Sequence, residues 1–199
     1  MEQKRLDAAI DDCTMAIKLT SGKLTSKISQ QAFHYYVGRA LAYHQQGQLE
    51  NAISDYSQAI ALNPIYVTSY IGRSHVRRDQ NRLEDVITDY SHVIHLLLDG
   101  DQKAEAYFTR GSCYLEQKRL DDAIADYMMA IKLTSNTAKE ALRYYAARGN
   151  AYHQQGQLEN AIADYNWAIA LDPQCANAYI QRGVAYEALK NVKNAIADY

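Results

Sequence analysis

The stretch RGNAYHQQGQLENAIADYNWAIALDP, Arg148 to Pro173, reads as two short amphipathic helices joined by a turn that contains glycine. In the first helix Tyr145, Gly149 and Tyr152 fall at spacings of four and three. In the second, Leu158, Ala161, Ile162, Tyr165, Ala168, Ile169 and Leu171 form a wider apolar stripe of the same period. Gly156 stands where the first helix must stop and the chain reverse, and Pro173 closes the second helix. Neither helix can bury its stripe alone. Packed as a pair they still leave one side uncovered, so the unit needs a neighbour of its own kind.

The chain supplies such neighbours. Tyr43 to Pro64, YHQQGQLENAISDYSQAIALNP, repeats Tyr152 to Pro173 with four substitutions, and EQKRLDAAIDDCTMAIKLTS from Glu2 matches EQKRLDDAIADYMMAIKLTS from Glu116, again with four. Alignment on Ala9, Ala52, Val86, Ala123, Ala161 and Ala195 gives a unit of about 34 residues. This period, with aromatic-x-x-x-Gly-x-x-Tyr followed by Ala, aromatic, Ala and Pro at fixed offsets, resembles the tetratricopeptide repeat family over nearly the whole chain. The resemblance implies an all-α fold, a right-handed α-α superhelix of antiparallel helix pairs. We expect one solenoid domain over residues 1–199. It would hold a partial repeat at 1–23, repeats at about 33–66, 67–100, 104–137 and 142–175, and a truncated repeat at 176–199.

In this reading the chain starts in mid-unit, and SGKLTSKISQQ lengthens the connection before the first complete repeat. Insertions at 101–103 and 138–141 extend helix ends or loops and add no domain. Repeats cut at both ends would expose faces that neighbours normally cover. A fragment of a longer array explains this, and end-to-end self-association is the alternative. The third repeat departs from the pattern. Val86 and Val93 replace small residues, Arg77 replaces a tyrosine, and Leu98 stands in the place of proline, which predicts a local change of helix spacing and curvature.

A net charge of −2 with interspersed signs gives no electrostatic footprint for nucleic acid and no polybasic membrane patch. No apolar run approaches membrane-spanning length, so we expect neither nucleic acid nor membrane as partner. The three cysteines are scattered without CxxC spacing, which suits a reducing compartment, and we expect a cytoplasmic protein. Among the six histidines, His92 and His95 share a helix face, but no third ligand stands at metal-site spacing. There is no nucleophile elbow and no glycine-rich phosphate loop. The expectation is a non-enzymatic chain with no metal and no cofactor.

Two ladders of residues recur. Tyr36, Tyr70, Tyr107, Tyr145 and Tyr179 hold one register, and Tyr56, Tyr90, Tyr127, Tyr165 and Tyr199 another, both on inward stripes where rings pack a core. Arg39, Arg73, Arg110, Arg148 and Arg182 recur three residues after the first aromatic. Asp12, Asp55, Asp89, Asp126, Asp164 and Asp198 precede the second aromatic position. A half-buried guanidinium needs a carboxylate, so repeated Arg–Asp pairs are expected. An anion-binding ladder is the sharper alternative.

What the core does not use is the outer side of each first helix, which should line the inner curve of the stack. It carries His34, Val37, Leu41 and His44, then Ile71, His75 and Arg78, then Phe108, Ser112 and Leu115. Arg143, Asn150 and His153 follow, and last Asn177, Ile180 and Val184. These positions vary between repeats, and their apolar members suggest an occupied groove. Family resemblance implies that the occupant is an extended or helical peptide of a protein partner. One subgroup grips chaperone C-terminal carboxylates with a Lys and Asn clamp. Its first lysine position reads Val37, Ile71, Phe108, Ala146 and Ile180 here, and only Asn150 matches an asparagine, so no such clamp is expected. The function expected is a protein-interaction scaffold. The alternatives are a self-assembling array and the regulatory part of a larger enzyme.

Overall fold

The computed structural model describes residues 2–21, 26–98, 100–134 and 138–198, and every regular element among them is a helix. The chain divides into two units, Met1–Leu96 and Leu97–Tyr199, the division falling at the end of the repeat that carries Val86, Val93 and Leu98. Each unit is an array of antiparallel helix pairs.

In the first unit, α1 (Glu2–Ser21), α3 (Leu49–Leu62) and α5 (Leu83–Leu96) are second helices of repeats, and α2 (Ser26–Gln45) and α4 (Val67–Asp79) are first helices. Helix α2 packs between α1 and α3, and α4 packs between α3 and α5. Residues 26–31, read from sequence as part of a connection, are instead the opening turns of α2. They contain no glycine or proline, and their lysine and glutamines favour helix.

In the second unit the first helices are α6 (Asp101–Glu116), α8 (Ala138–Gln154) and α10 (Ala176–Ala188). The second helices are α7 (Leu120–Leu133), α9 (Leu158–Leu171) and α11 (Val192–Asp198). The residues inserted at 101–103 and 138–141 lengthen α6 and α8 at their N-termini. In both units the backbones of first helices of successive repeats approach one another (α2 with α4, α6 with α8, α8 with α10), whereas among the described residues no two second helices come as close. First helices therefore line one common face in each unit.

The turn inside each pair is built the same way five times. Gly47, Asn81, Lys118, Gly156 and Lys190 hold positive φ just after the first helix. The next backbone N–H reaches back to a carbonyl five residues earlier, as Gln48 does to Tyr43 and Gln157 to Tyr152, both at 2.9 Å. This motif satisfies carbonyls that the helix end leaves open. Only two of the five turns use glycine, so three bear a side chain in a left-handed conformation.

Tyrosines of the second register make the core. Tyr56, Tyr90, Tyr127 and Tyr165 are buried, and Tyr165 packs with Ala161 of its own helix and Ala185 of the next. Desolvation pushes the Tyr127 phenol up to about 12 and raises that of Tyr165 as well. The first-register rings are less covered: Tyr70 is buried, whereas Tyr36, Tyr107, Tyr145 and Tyr179 are half-buried. Glycine lets the core rings approach. In the second unit Gly111 and Gly149 follow their arginine and face the tyrosine of their own repeat. In the first unit Gly38 and Gly72 precede it by one residue and face the preceding second helix, at Cys13 and Tyr56.

A methyl group on Gly72 would lie 2.4 Å from the Tyr56 ring, whereas one on Gly38 would meet Cys13 Sγ at 3.4 Å. Gly72→Ala is expected to destabilise the chain by about 1–3 kcal/mol in urea unfolding, because the ring has to leave its rotamer. Gly38→Ala should stay near the wild-type midpoint.

Candidate functional site

The polar framework behind the first-helix face consists of the expected Arg–Asp pairs. Arg39 reaches Asp55 with Nε at 2.7 Å and Nη2 at 2.8 Å, and Arg148 reaches Asp164 at 2.8 and 2.7 Å through the same atoms. Arg73–Asp89, Arg110–Asp126 and Arg182–Asp198 repeat this fork, with sixteen residues separating the partners each time. The hydrogen bonds that Arg39, Arg110, Arg148 and Arg182 donate to Asp55, Asp126, Asp164 and Asp198 raise their basicity above the ordinary guanidinium. Each guanidinium also lies over the tyrosine three residues earlier, 5.6 Å from Tyr145 in the case of Arg148.

A feature beyond the sequence reading is the destination of the third guanidinium nitrogen. Arg39 Nη1 donates to Thr14 Oγ1 and Arg73 Nη1 to Ser57 Oγ, each at 2.9 Å, and Arg182 Nη1 donates to Asn166 Oδ1. All three acceptors stand two residues after the aspartate of the preceding repeat. One arginine thus ties its own second helix to the second helix before it. In the third repeat Arg77, standing where tyrosine is expected, places a second guanidinium 2.7 Å from the fully buried Asp89. Its Nε is buried without a partner.

The face itself is uneven. In the first unit His34 and His75 are exposed, and Leu41 is 49% exposed, while Val37 packs against the cluster of Ala40, Tyr56 and Val76. Ile71 and Arg78 are half-buried. His44 Nε2 lies 2.6 Å from Asp79 Oδ2, linking α2 to α4 beside His75. In the second unit Phe108 turns inward rather than into the groove, with its ring 5.7 Å from Tyr127 and 5.1 Å from Tyr144. Arg143 covers it, 4.6 Å from the ring, and pairs with Glu105 at 3.2 Å. Tyr144 donates to the same Glu105 carboxylate at 3.0 Å. Desolvation and then Glu105 raise the Tyr144 phenol.

Ser112 and Asn150 accept from the hydroxyls of Tyr127 and Tyr165, at 3.3 and 2.8 Å, so both serve the core as well as the face. Leu115 packs against the cluster of Ala123, Tyr127 and Ala151. His153 and Val184 are half-buried, Asn177 is exposed, and Ile180 is 48% exposed. Within each unit these residues lie on neighbouring first helices, with Leu41 and Ile180 the apolar members most open to a ligand.

Residues 35–66 and 104–136 match the model described as tetratricopeptide repeat, and residues 149–190 match a second one described as TPR repeat. The chain belongs to the tetratricopeptide repeat family. The divergent third repeat lies between the matched segments. No curated protein matches the chain. Among solved structures, a MamA protein is 24% identical with a TM-score of 0.75, covering 84% of this chain and 88% of its own. YrrB, described as a TPR protein with an unusual peptide-binding site, is 18% identical with a TM-score of 0.68, covering 82% and 81%. PilF of Pseudomonas aeruginosa is 16% identical with a TM-score of 0.66, covering 86% and 75%. At these identities the likeness establishes the fold of this tetratricopeptide array. No described helix is long and apolar enough to cross a membrane.

Although His75 is exposed on the face, the part of its imidazole withdrawn from water holds it below its ordinary range, aided by the neighbouring His44 and Arg78 and opposed by Asp79. Protons then bind the unfolded chain more readily at this site, so its contribution to stability is complete above the unfolded pKa of 6.5 and falls as pH drops below it. His75→Gln should flatten the fall in urea midpoint between about pH 7 and 5. In NMR titration the His75 ring should titrate below 6.5, the ordinary value.

Proposed function

We propose that this chain is a non-enzymatic interaction scaffold that binds an extended or helical segment of a protein partner on the first-helix face. The observation that carries the reading is the contrast on those helices. Their inward stripes are closed by tyrosine and alanine, while Leu41 and Ile180 stay about half exposed on the face that varies between repeats. A partner covering such side chains gains roughly 25 cal/mol for each Å² of apolar area. The peptide-binding site named for YrrB lends support by analogy of fold.

The partner would not be a chaperone tail gripped by its terminal carboxylate, since Val37, Ile71, Phe108, Ala146 and Ile180 occupy the first lysine position of that clamp. A reducing compartment, the cytoplasm, fits three scattered cysteines that are all free thiols.

The groove is tested at its exposed members, because a charge at Phe108 would enter the core. Leu41→Glu and Ile180→Glu should each leave the melting temperature nearly unchanged and reduce capture of a co-purifying partner by roughly tenfold, the effect of losing an interface anchor. Capture unaffected by both changes would rule out the first-helix face. Concentration-dependent growth in light scattering would favour self-association instead.

A further inference from the structure

The near-identical repeat copies differ at only a few positions, and two of those differences lie around one arginine. Helix α7 repeats α1 but replaces Thr14 with Met128, and α9 repeats α3 but replaces Gln58 with Trp167. Thr14, Ser57 and Asn166 each supply the oxygen that receives Nη1 of an arginine in the next first helix. For Arg148 the corresponding residue is Met128, which has no oxygen to offer. Its Nε and Nη2 are held by Asp164, while Nη1 has no acceptor among the described residues and is not among the buried unpartnered atoms.

The surroundings of that open donor are apolar and accessible. Met128 is 49% exposed. Trp167, the single tryptophan of the chain, is 58% exposed and stacks on Tyr145 at 5.8 Å and 20°. Arg148 lies against the same tyrosine. Met, Tyr, Arg and Trp are the residue types enriched at the centres of protein interfaces. Helical period places Tyr145 and Arg148 on a different flank of α8 from Arg143, Asn150 and His153, so this patch is distinct from the first-helix groove.

We propose that Met128, Tyr145, Arg148 and Trp167 form a docking site for an uncharged segment of a partner protein, one that carries a Ser, Thr or Asn beside apolar side chains. The partner's hydroxyl or carboxamide oxygen accepts from Arg148 Nη1, and its apolar neighbours cover Met128 and Trp167. Two observations set this chemistry. Asp164 already neutralises the guanidinium, so a second carboxylate is not required. In three sibling repeats the same nitrogen donates to a neutral oxygen, that of Thr14, Ser57 or Asn166.

The test is selection of a random twelve-residue peptide library on the native chain, followed by titration of the enriched peptides as synthetic, end-blocked molecules. The expected consensus holds Ser, Thr or Asn flanked by Leu, Met or aromatic residues, with saturable change in Trp167 fluorescence. Met128→Thr and Trp167→Gln install residues that the sibling repeats use at these places. Both variants should therefore keep the wild-type circular dichroism and melting temperature, while calorimetry shows binding weakened by about tenfold or more. Leu41→Glu and Ile180→Glu should leave this binding unchanged, which separates it from failure of the groove. Failure to enrich any peptide, a consensus dominated by Asp and Glu, or an affinity indifferent to Met128→Thr would overturn the proposal. So would a homodimer that Met128→Thr dissolves, since the occupant would then be a second copy.

Discussion

The constraint on which the array depends is the carboxylate buried on each second helix. Asp55, Asp89, Asp126 and Asp164 are withdrawn from water in the company of tyrosine and alanine. Such a charge is tolerable only with a counter-charge in good geometry. The arginine sixteen residues upstream supplies it through two parallel hydrogen bonds, and in three repeats its third nitrogen reaches back to the preceding second helix. Apolar stripes of Ala and Ile attract one another at many offsets. The fork accepts one offset, so the helix pair and its neighbour are set in a single register. The ion pair is therefore better regarded as a positioning device than as a net source of stability.

Much of this was legible before any coordinates. Near-duplicate segments and a fixed period gave the helix pairs, and the equal spacing of Arg and Asp gave the forks. The rest depended on three-dimensional detail. Residues 26–31 carry no stripe strong enough to distinguish a helix start from a connection. That Arg77 would share Asp89 with Arg73 could not follow from a missing tyrosine alone. The one-residue offset of Gly38 and Gly72 is visible in the letters, yet its meaning, contact with the preceding rather than the own second helix, appears only in the packing.

The first-helix residues of the candidate site are uneven in detail. Leu41 in one unit and Ile180 in the other are about half exposed. Phe108 occupies an equivalent place in its helix, but a ring is long enough to swing between Tyr127 and Tyr144, so it joins the core while Arg143 covers it. Periodicity assigns a position to a face and cannot say which way a large side chain at its border will turn. The polar members Ser112 and Asn150 are likewise shared with buried tyrosine hydroxyls, so changes there would mix binding with stability. Repetition thus leaves two kinds of surface: faces that every repeat keeps for its neighbour, and positions where one repeat has lost an internal partner.

The account's central claim is tested most directly by a double-mutant cycle in urea unfolding on Arg148→Met and Asp164→Leu. If the buried fork fixes the register, each single change leaves an uncompensated charge and should cost about 3–5 kcal/mol, whereas the double change, leaving none, should be much less damaging than their sum. Single losses below about 1 kcal/mol that simply add, the behaviour of an exposed and weakly coupled pair, would contradict it.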